Sequence, residues 1–440
     1  MPEPVLPTTA HLLLARTARV QRDGRSPSLV AGVVRDGGLA WSTGRGAVDE
    51  PHTDVQYRLG SISKSVTAVA VMRLRDEGLL GLDDPLDRHL PGTPLGDRTI
   101  GQLLSHVAGA SAESPGGWWE RTPGGSLEEL ALEAEDVVLG AGRRFHYSNL
   151  GFGLLGELLS RARGASWEDV VTAEVLAPLG MTRTTPRPVA PAAEGRAVHP
   201  WADVVLVEPE HHAGVMAAAG QLWATLDDLG RFAAFLLGDT GDVLAASTLE
   251  EMTVPAGVDS SAPGWSAYGL GLQVIRLDGR TLVGHGGSMP GFLAGVFVDR
   301  EEKIGAVSLM NSTAGVDPLM FDLLSILRTA EPRIVEPWEP SPAPIELDRL
   351  GVWFWGPSPV LLRAVAGGLL HLGPLPGRTG RASRFRALDD GTWRGLDGYY
   401  AGETLRIADD HLDLGTFIFT RTPYDPEAPV PGGVDDRGWH

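Results

Sequence analysis

The chain has 440 residues, 43% apolar and 21% charged, with a formal net charge of -19. That acidity argues against nucleic acid and anionic membrane as main partners, because both need a basic face. Cysteine is absent, which removes disulfides, thiolate metal sites and thiol nucleophiles and leaves the oxygen nucleophiles.

In chain order, the length predicts one large domain followed by a smaller one. Met1-Pro2-Glu3-Pro4-Val5-Leu6-Pro7 carries an acid and three prolines where a signal peptide would have a basic region. No apolar run approaches the ~18 residues of a membrane span, so the expected location is the cytoplasm. A helix is expected over His11 to Val20. A hairpin follows, with strands Leu29 to Val34 and Leu39 to Trp41 joined through Arg35-Asp36-Gly37-Gly38. Next comes Gly60-Ser61-Ile62-Ser63-Lys64-Ser65, the start of an apolar helix running to Leu74, closed by Gly78, Gly81 and Asp83-Asp84-Pro85.

From about 98 to 240 the pattern is helical, with glycine- and proline-marked loops. Gly116-Gly117-Trp118-Trp119-Glu120-Arg121-Thr122-Pro123-Gly124-Gly125 reads either as a mobile lid with an apolar surface or as a loop pinned to the core by its tryptophans. Phe145-His146-Tyr147-Ser148-Asn149-Leu150-Gly151 precedes another helical stretch, and Leu226 to Leu237 is amphipathic scaffold. Between 268 and 311, Tyr268 to Val274, Thr281 to His285, Phe292 to Val298 and Ile304 to Met310 predict an antiparallel meander. A helix over Pro318 to Arg328 then leads into a proline-dense linker. The expected domains are therefore 1-330, a linker 331-346, and a small all-β unit 347-440 containing Thr404 to Ile407 and Thr416 to Thr420.

Lysine usage singles out one stretch. Only Lys64 and Lys303 occur, so 35 of the 37 formal positive charges are arginine. A guanidinium does not deprotonate in proteins, whereas burial can drive an amine toward its neutral, basic form. On a helix Ser61 and Lys64, three apart, share a face, which sets a nucleophile beside a base. If Tyr147 to Asn149 is extended, Tyr147 and Asn149 project to one side. A phenol beside an ammonium is shifted toward phenolate and suits proton transfer; an Asn amide binds a substrate carbonyl. Otherwise the tripeptide is a loop with local hydrogen bonds. His285-Gly286-Gly287-Ser288 ends a strand whose glycines leave room for a substrate backbone at its edge, or else form a bulge.

Ser-x-x-Lys, Tyr-x-Asn and His-x-Gly, in this order, resemble the motifs of the penicillin-recognising serine enzymes, the superfamily of serine β-lactamases and penicillin-binding proteins. The resemblance is to the branch of class C β-lactamases, D-Ala-D-Ala carboxypeptidases, D-aminopeptidases and esterases. It covers roughly residues 10 to 330 and extends to Leu103-Leu104-Ser105-His106-Val107-Ala108-Gly109 and Pro178-Leu179-Gly180-Met181. It implies a β-lactamase/transpeptidase-like fold of α+β or α/β class: an antiparallel sheet flanked by helices, an α subdomain, and a site in the cleft between.

By the same resemblance Ser61 is the acylated nucleophile, Lys64 its base, Tyr147 the proton shuttle, and Asn149 the residue that orients the substrate amide. The backbone N–H groups of Ser61 and Ser288 form the oxyanion hole, with Gly286 and Gly287 along the substrate strand. His285 stands where lactamases carry a lysine, which favours peptidase, aminopeptidase or esterase activity over β-lactam hydrolysis. The last 95 or so residues resemble the lipocalin-like barrel found in some members, including penicillin-binding-protein-type thioesterases that release peptides by cyclisation. The implied partner is a small-molecule or peptidyl substrate, including a carrier-protein-bound peptidyl thioester. Trp118, Trp119 and Arg437 are candidate substrate contacts. No cofactor or metal is expected, since adjacent His211 and His212 point to opposite sides of an extended chain. The competing reading is a non-catalytic sensor that keeps the pocket and turns nothing over.

Overall fold

The computed structural model describes residues 2–261, 265–314, 318–335, 337–338, 347–415, 417–423 and 427. The chain divides into two compact units, Met1–Arg333 and Ile334–His440. Among the described residues the first unit is built on an eight-stranded sheet. Its strand order is Gly38–Gly46, Ser28–Arg35, Ile304–Met310, Phe292–Asp299, Arg280–Met289, Gln273–Leu277, Trp265–Tyr268 and Gly257–Asp259. All of its neighbouring strands pair antiparallel, as the fold class expected from the sequence requires. The hairpin between the first two strands turns on Asp36 and Gly37, both at positive φ, which is the twist that a two-residue hairpin loop needs.

Alternation along the strands divides the core into two layers. Leu29, Ala31 and Val33, with Ile304, Ala306 and Met310, pack against Leu13 and Val20 of the helix Pro7–Asp23 and Leu319, Leu323 and Leu327 of the helix Leu319–Ala330. Val30, Val34, Val296, Val298, Val307 and Leu309 face the other way, onto Leu229, Phe232 and Phe235 of the helix Leu226–Leu236 and onto the helical layer. A sheet covered on both faces has no polar-out positions to supply, which is why these strands read as unbroken apolar runs.

The helix Ile62–Asp76 lies within that second layer, and 12 of its 15 residues are buried. Its buried hydroxyls are all paired. Thr67 Oγ1 shares its one proton between the carbonyls of Ser63 and Ala218, each 3.0 Å away, Ser65 Oγ donates to that of Gly271, and Ser63 Oγ accepts from Leu222 N–H. A buried polar atom left unpaired would cost ~1–3 kcal/mol, so these bonds are what allow a serine-rich helix start to sit in the core.

One predicted strand is divided in two. Tyr268 to Val274 is not a single strand: Trp265–Tyr268 ends at Tyr268 and Gln273–Leu277 begins five residues later. The cause is Gly271, at φ +78, where a Cβ would meet the Ala68 side chain at 2.1 Å. The chain turns there because it presses directly on the helix Ile62–Asp76.

The second unit contains a closed barrel of eight strands in sequential order, from Gly351–Trp355 to Phe417–Thr420. Its interior holds Trp353, Leu362, Leu370, Leu372, Phe385, Leu405, Leu412 and Phe419. Closure removes the exposed sheet edges that a small β unit would otherwise carry.

Candidate active site

The site begins where the chain enters the helix Ile62–Asp76. Gly60 takes φ +55, and a Cβ there would lie 2.6 Å from Ser288 N; this close approach, together with the positive φ, reserves the position for glycine. Ser61 caps the helix, and Lys64 follows one turn later with its side chain fully buried. Lys64 Nζ lies 3.0 Å from Ser61 Oγ and donates to Ala219 O at 2.7 Å. Burial pulls the amine down from its ordinary 10.5 to about 7, against the opposing pull of Glu113 and Glu120. That shift is worth roughly 5 kcal/mol in favour of the neutral amine, so desolvation outweighs the two carboxylates.

Tyr147 and Asn149 arrive at the start of the helix Asn149–Arg163. Ser148 caps that helix, its Oγ accepting from Gly151 N–H and donating to Ser111 O. Ser148 N–H donates in turn to His106 Nδ1 at 3.0 Å, and the His106 ring stacks on Tyr147 with centroids 4.3 Å apart. Lys64 Nζ sits 5.0 Å from the centre of the Tyr147 ring. The Tyr147 ring meets that of Tyr268 edge-on with centroids 5.8 Å apart, and the His285 ring lies 6.4 Å away. Burial drives the Tyr147 phenol upward, beyond its ordinary value. The shift toward phenolate expected from an adjacent lysine is therefore reversed, because the lysine is itself pushed toward neutrality and desolvation dominates.

Asn149 Nδ2 donates to both oxygens of Glu113, at 2.9 Å each, and Trp119 Nε1 donates to the same carboxylate at 2.7 Å. The Asn149 amide is thereby fixed with its oxygen as the remaining hydrogen-bonding atom, an acceptor for a substrate N–H rather than a donor to a carbonyl. Trp119 is buried and its ring lies against Gly220, while Trp118 is 59% exposed, bonded to Glu120 and beneath the Arg121 guanidinium. Of the two readings of this loop, pinning by tryptophan describes Trp119, and the outward apolar surface is Trp118 alone.

The third element is the strand Arg280–Met289. It outruns its neighbour Gln273–Leu277, since their pairing stops at Gly284 opposite Gln273. Beyond that point the edge from His285 to Ser288 is unpaired by strand, apart from Gly286 N–H donating to Gln273 Oε1. Gly287 lies against the helix entry: a Cβ there would be 1.9 Å from Leu59 O and 3.2 Å from Ser61 N. At Gly286 a Cβ would meet nothing within 4 Å, and Ser288 is exposed. His285 is buried, its Nδ1 bonded to Gly286 O at 2.5 Å and its Nε2 to the Tyr268 hydroxyl. Burial, aided by Lys64, lowers its pKa to about 3, so it is a neutral imidazole.

The structure thus brings together Ser61, Lys64, Tyr147, Asn149, Trp119 and the segment His285 to Ser288. Arg437 lies outside the described residues. Sequence reasoning gave no role to Glu113, His106, Tyr268 or Gln273. His106 was within reach, since it sits in the phrase Leu103 to Gly109, but its stacking on Tyr147 is a tertiary contact.

The Beta-lactamase family model matches residues 14–331, and a second, Domain of unknown function (DUF7586), matches 342–421. Penicillin-binding protein 4* of Bacillus subtilis is 27% identical over 262 residues, covering 54% of this chain and 57% of that protein. The chain spans a little over half the length of the first curated relatives it matches. Among solved structures, a D-stereospecific amidohydrolase from Streptomyces sp. has a TM-score of 0.62 at 24% identity, over 73% of this chain and 98% of that one. SurE with D-Leu has a TM-score of 0.56 at 26% identity, over 95% and 100%. Among the described residues no helix is long and apolar enough to cross a membrane. With the family match running from the first helix through the last helix of the larger unit, the chain belongs to the Beta-lactamase family.

Proposed function

We propose that the protein is a serine hydrolase or acyltransferase that forms an acyl-enzyme at Ser61 and acts on peptide-like esters, amides or thioesters with a D-residue in the acyl group. The observation that carries this is the Lys64 amine, buried, with its pKa drawn down to about 7 and its Nζ 3.0 Å from Ser61 Oγ. A binding module has no use for a desolvated base, which costs stability and is supported by the surrounding core.

In this reading Ser61 Oγ attacks the substrate carbonyl as its proton passes to the neutral Lys64. The oxyanion that forms is met by the N–H groups of Ser61 and Ser288, which the Gly60 and Gly287 contacts hold on adjoining chain segments. The bond to the leaving group then breaks, and Tyr147 delivers the proton from Lys64 to the departing atom. Water or an amine completes the cycle by the same path in reverse, giving hydrolysis or aminolysis; release of a peptidyl thioester by cyclisation is the aminolytic form. Asn149 orients the acyl side through its amide oxygen.

Two features support the substrate class. His285 is neutral, so the position offers no cation for a terminal carboxylate, whereas Glu113 and Glu120 put negative charge near Lys64. That field favours an acyl donor carrying a free amine, as in an aminopeptidase substrate. The D-configuration is supported by the D-stereospecific amidohydrolase and by SurE with D-Leu among the similar structures. The test is a panel of D- and L-aminoacyl p-nitroanilides, p-nitrophenyl esters and a peptidyl N-acetylcysteamine thioester, with intact mass read after rapid quench. An adduct on Ser61, absent in Ser61→Ala, with faster turnover of D-donors is the expected result. No adduct with any donor overturns the acyl-enzyme, and equal rates for both configurations overturn the stereopreference.

A further inference from the structure

We propose that one end of the eight-stranded barrel is a binding site for a small organic anion with an aromatic body. The site lies within the second unit and stands independently of the acyl-enzyme reading above.

The topology of the barrel gathers the residues. Its strands run in sequential, antiparallel order, so the connections from first to second, third to fourth, fifth to sixth and seventh to eighth strand all emerge at one end. That end holds the turn Trp355 to Ser358, the loop Pro374 to Ala382, the segment Leu396 to Glu403 and the start of the strand Phe417–Thr420. A cavity of about 340 Å³ opens there, within the ~300–1,000 Å³ of small-molecule pockets. Each of the four regions lends it side chains: Trp355, Arg378 with Arg381, Tyr400 and Phe417.

The floor of the cavity is core. Leu372 and Phe419 line it and are buried in the barrel interior. Tyr400, 7% exposed, meets Phe417 edge-on with centroids 5.8 Å apart, and Phe417 lies 5.7 Å from Trp355. Aromatic side chains in mutual contact present faces and edges against which a flat apolar body packs.

The rim supplies charge. The loop Pro374 to Ala382 turns through Gly377, at φ +77, and Arg378 N–H closes it onto Leu375 O at 3.0 Å. The Arg381 guanidinium lies 3.7 Å over the centre of the Tyr399 ring, a contact that holds its plane and leaves its N–H edge for a carboxylate or sulfonate. Arginines on an exposed loop are ordinarily solvated or paired with a nearby acid. Here the acids pair elsewhere: Asp409 with Arg349, Asp397 with Arg384 and Asp413 with Arg406. No Asp or Glu lines the cavity, and among the described residues neither Arg378 nor Arg381 has a carboxylate partner. From 347 to 423 the sequence carries nine arginines and eight carboxylates, so this stretch does not share the acidity of the whole chain and does not repel an anion. The aromatic walls select the body of the ligand, and the two guanidiniums select its charge.

The test uses two fluorescent probes that share an arylamine body: 8-anilinonaphthalene-1-sulfonate, an anion, and N-phenyl-1-naphthylamine, which is neutral. On the full chain the anion is expected to saturate at one site and to bind about tenfold or more tighter than the neutral probe. Its affinity should weaken as salt rises, and 4-phenylbutyrate should displace it where inorganic phosphate does not. When Arg378→Gln and Arg381→Gln are combined, the anion is expected to bind about tenfold or more weakly, with the neutral probe changed by less than about twofold. Both side chains are exposed, so the double variant is expected to keep the thermal melt of the parent.

Should it lose its fold, Ser358→Trp carries the test. Ser358 is exposed and lines the cavity, and an indole there is expected to exclude both probes. No saturable binding of the anion, unchanged affinity in both variants, or equal loss of the two probes on removal of the arginines overturns the proposal. Displacement by phosphate alone shows that charge binds without an aromatic body and overturns it as well.

Discussion

Gly287 lies against the backbone of Ser61: a Cβ on Gly287 would stand 3.2 Å from Ser61 N and 1.9 Å from Leu59 O. The end of the strand Arg280–Met289 and the entry to the helix Ile62–Asp76 therefore touch main chain to main chain. Side chains could not bring two N–H groups from distant parts of the sequence so close. Gly287 of His-x-Gly and Gly60 before Ser61 serve one contact from its two sides.

That contact makes neighbouring glycines respond differently. Gly287→Ala is expected to lose ~3 kcal/mol or more of stability and nearly all acylation, because the Leu59 carbonyl cannot yield without moving Ser61. Gly286→Ala, with open space where the methyl would go, is expected to keep its stability within about 0.5 kcal/mol and to raise KM if substrate lies along the strand. Denaturant melts and burst amplitudes with a p-nitrophenyl ester would separate the two.

Replacement of Lys64 tests the base. Lys64→Met preserves length and removes the amine, and is expected to lower the acylation rate by 10³ or more while leaving thermal stability equal or higher, since a desolvated polar group is gone. Lys64→Arg carries a charge that burial cannot readily remove into a fully enclosed site and should be both inactive and less stable. Normal burst kinetics in either variant would remove Lys64 from the mechanism.

The pH dependence has a defined sign. The base is the neutral amine, which buries its way down to about 7. The kcat/KM of the free enzyme should therefore fall about tenfold per pH unit below that value and level off above it. His285, with a pKa of about 3, stays neutral across this range and adds no second step. An acid limb centred far from 7 would mean that another group limits the rate.

Glu113 holds the ammonium form of Lys64 up, so Glu113→Gln is expected to move the acid limb to lower pH. The variant should also lose about 1–3 kcal/mol, because a Gln amide cannot accept from both Asn149 and Trp119 as the carboxylate does. If amine-bearing donors are preferred through this charge, their advantage over N-acylated donors should shrink in the same variant. A pH–rate series on the two donor classes reads both effects.

Much of the catalytic unit was legible in the sequence because it depends on local rules. Ser61 and Lys64 share a helical face by spacing, the Asp36-Gly37 turn closes the hairpin, and the meander strands alternate or run apolar according to the faces they bury. The rarity of lysine pointed to Lys64 before any fold was known. What the residues could not disclose was the sign of the electrostatics. Adjacent Lys64 and Tyr147 suggested a phenolate stabilised by an ammonium, yet enclosure by the core pushes both groups toward their neutral forms. Desolvation is a property of the whole surrounding volume, and no short motif encodes it.

The partners of the motifs were hidden for a related reason. Glu113, His106 and Tyr268 reach the site through a loop, a left-handed residue at φ +58 and a turn on Gly271, respectively. Each is an ordinary residue in a segment that reads as connection or strand. By itself the sequence determined that a nucleophile, a base and a phenol are present on elements able to carry them. The tertiary structure decided that Tyr147 faces Tyr268 and His285, that Asn149 is turned by Glu113, and that Lys64 is dry. Those outcomes come from contacts between segments distant in the chain, where packing and the loss of water set hydrogen-bond direction and charge state.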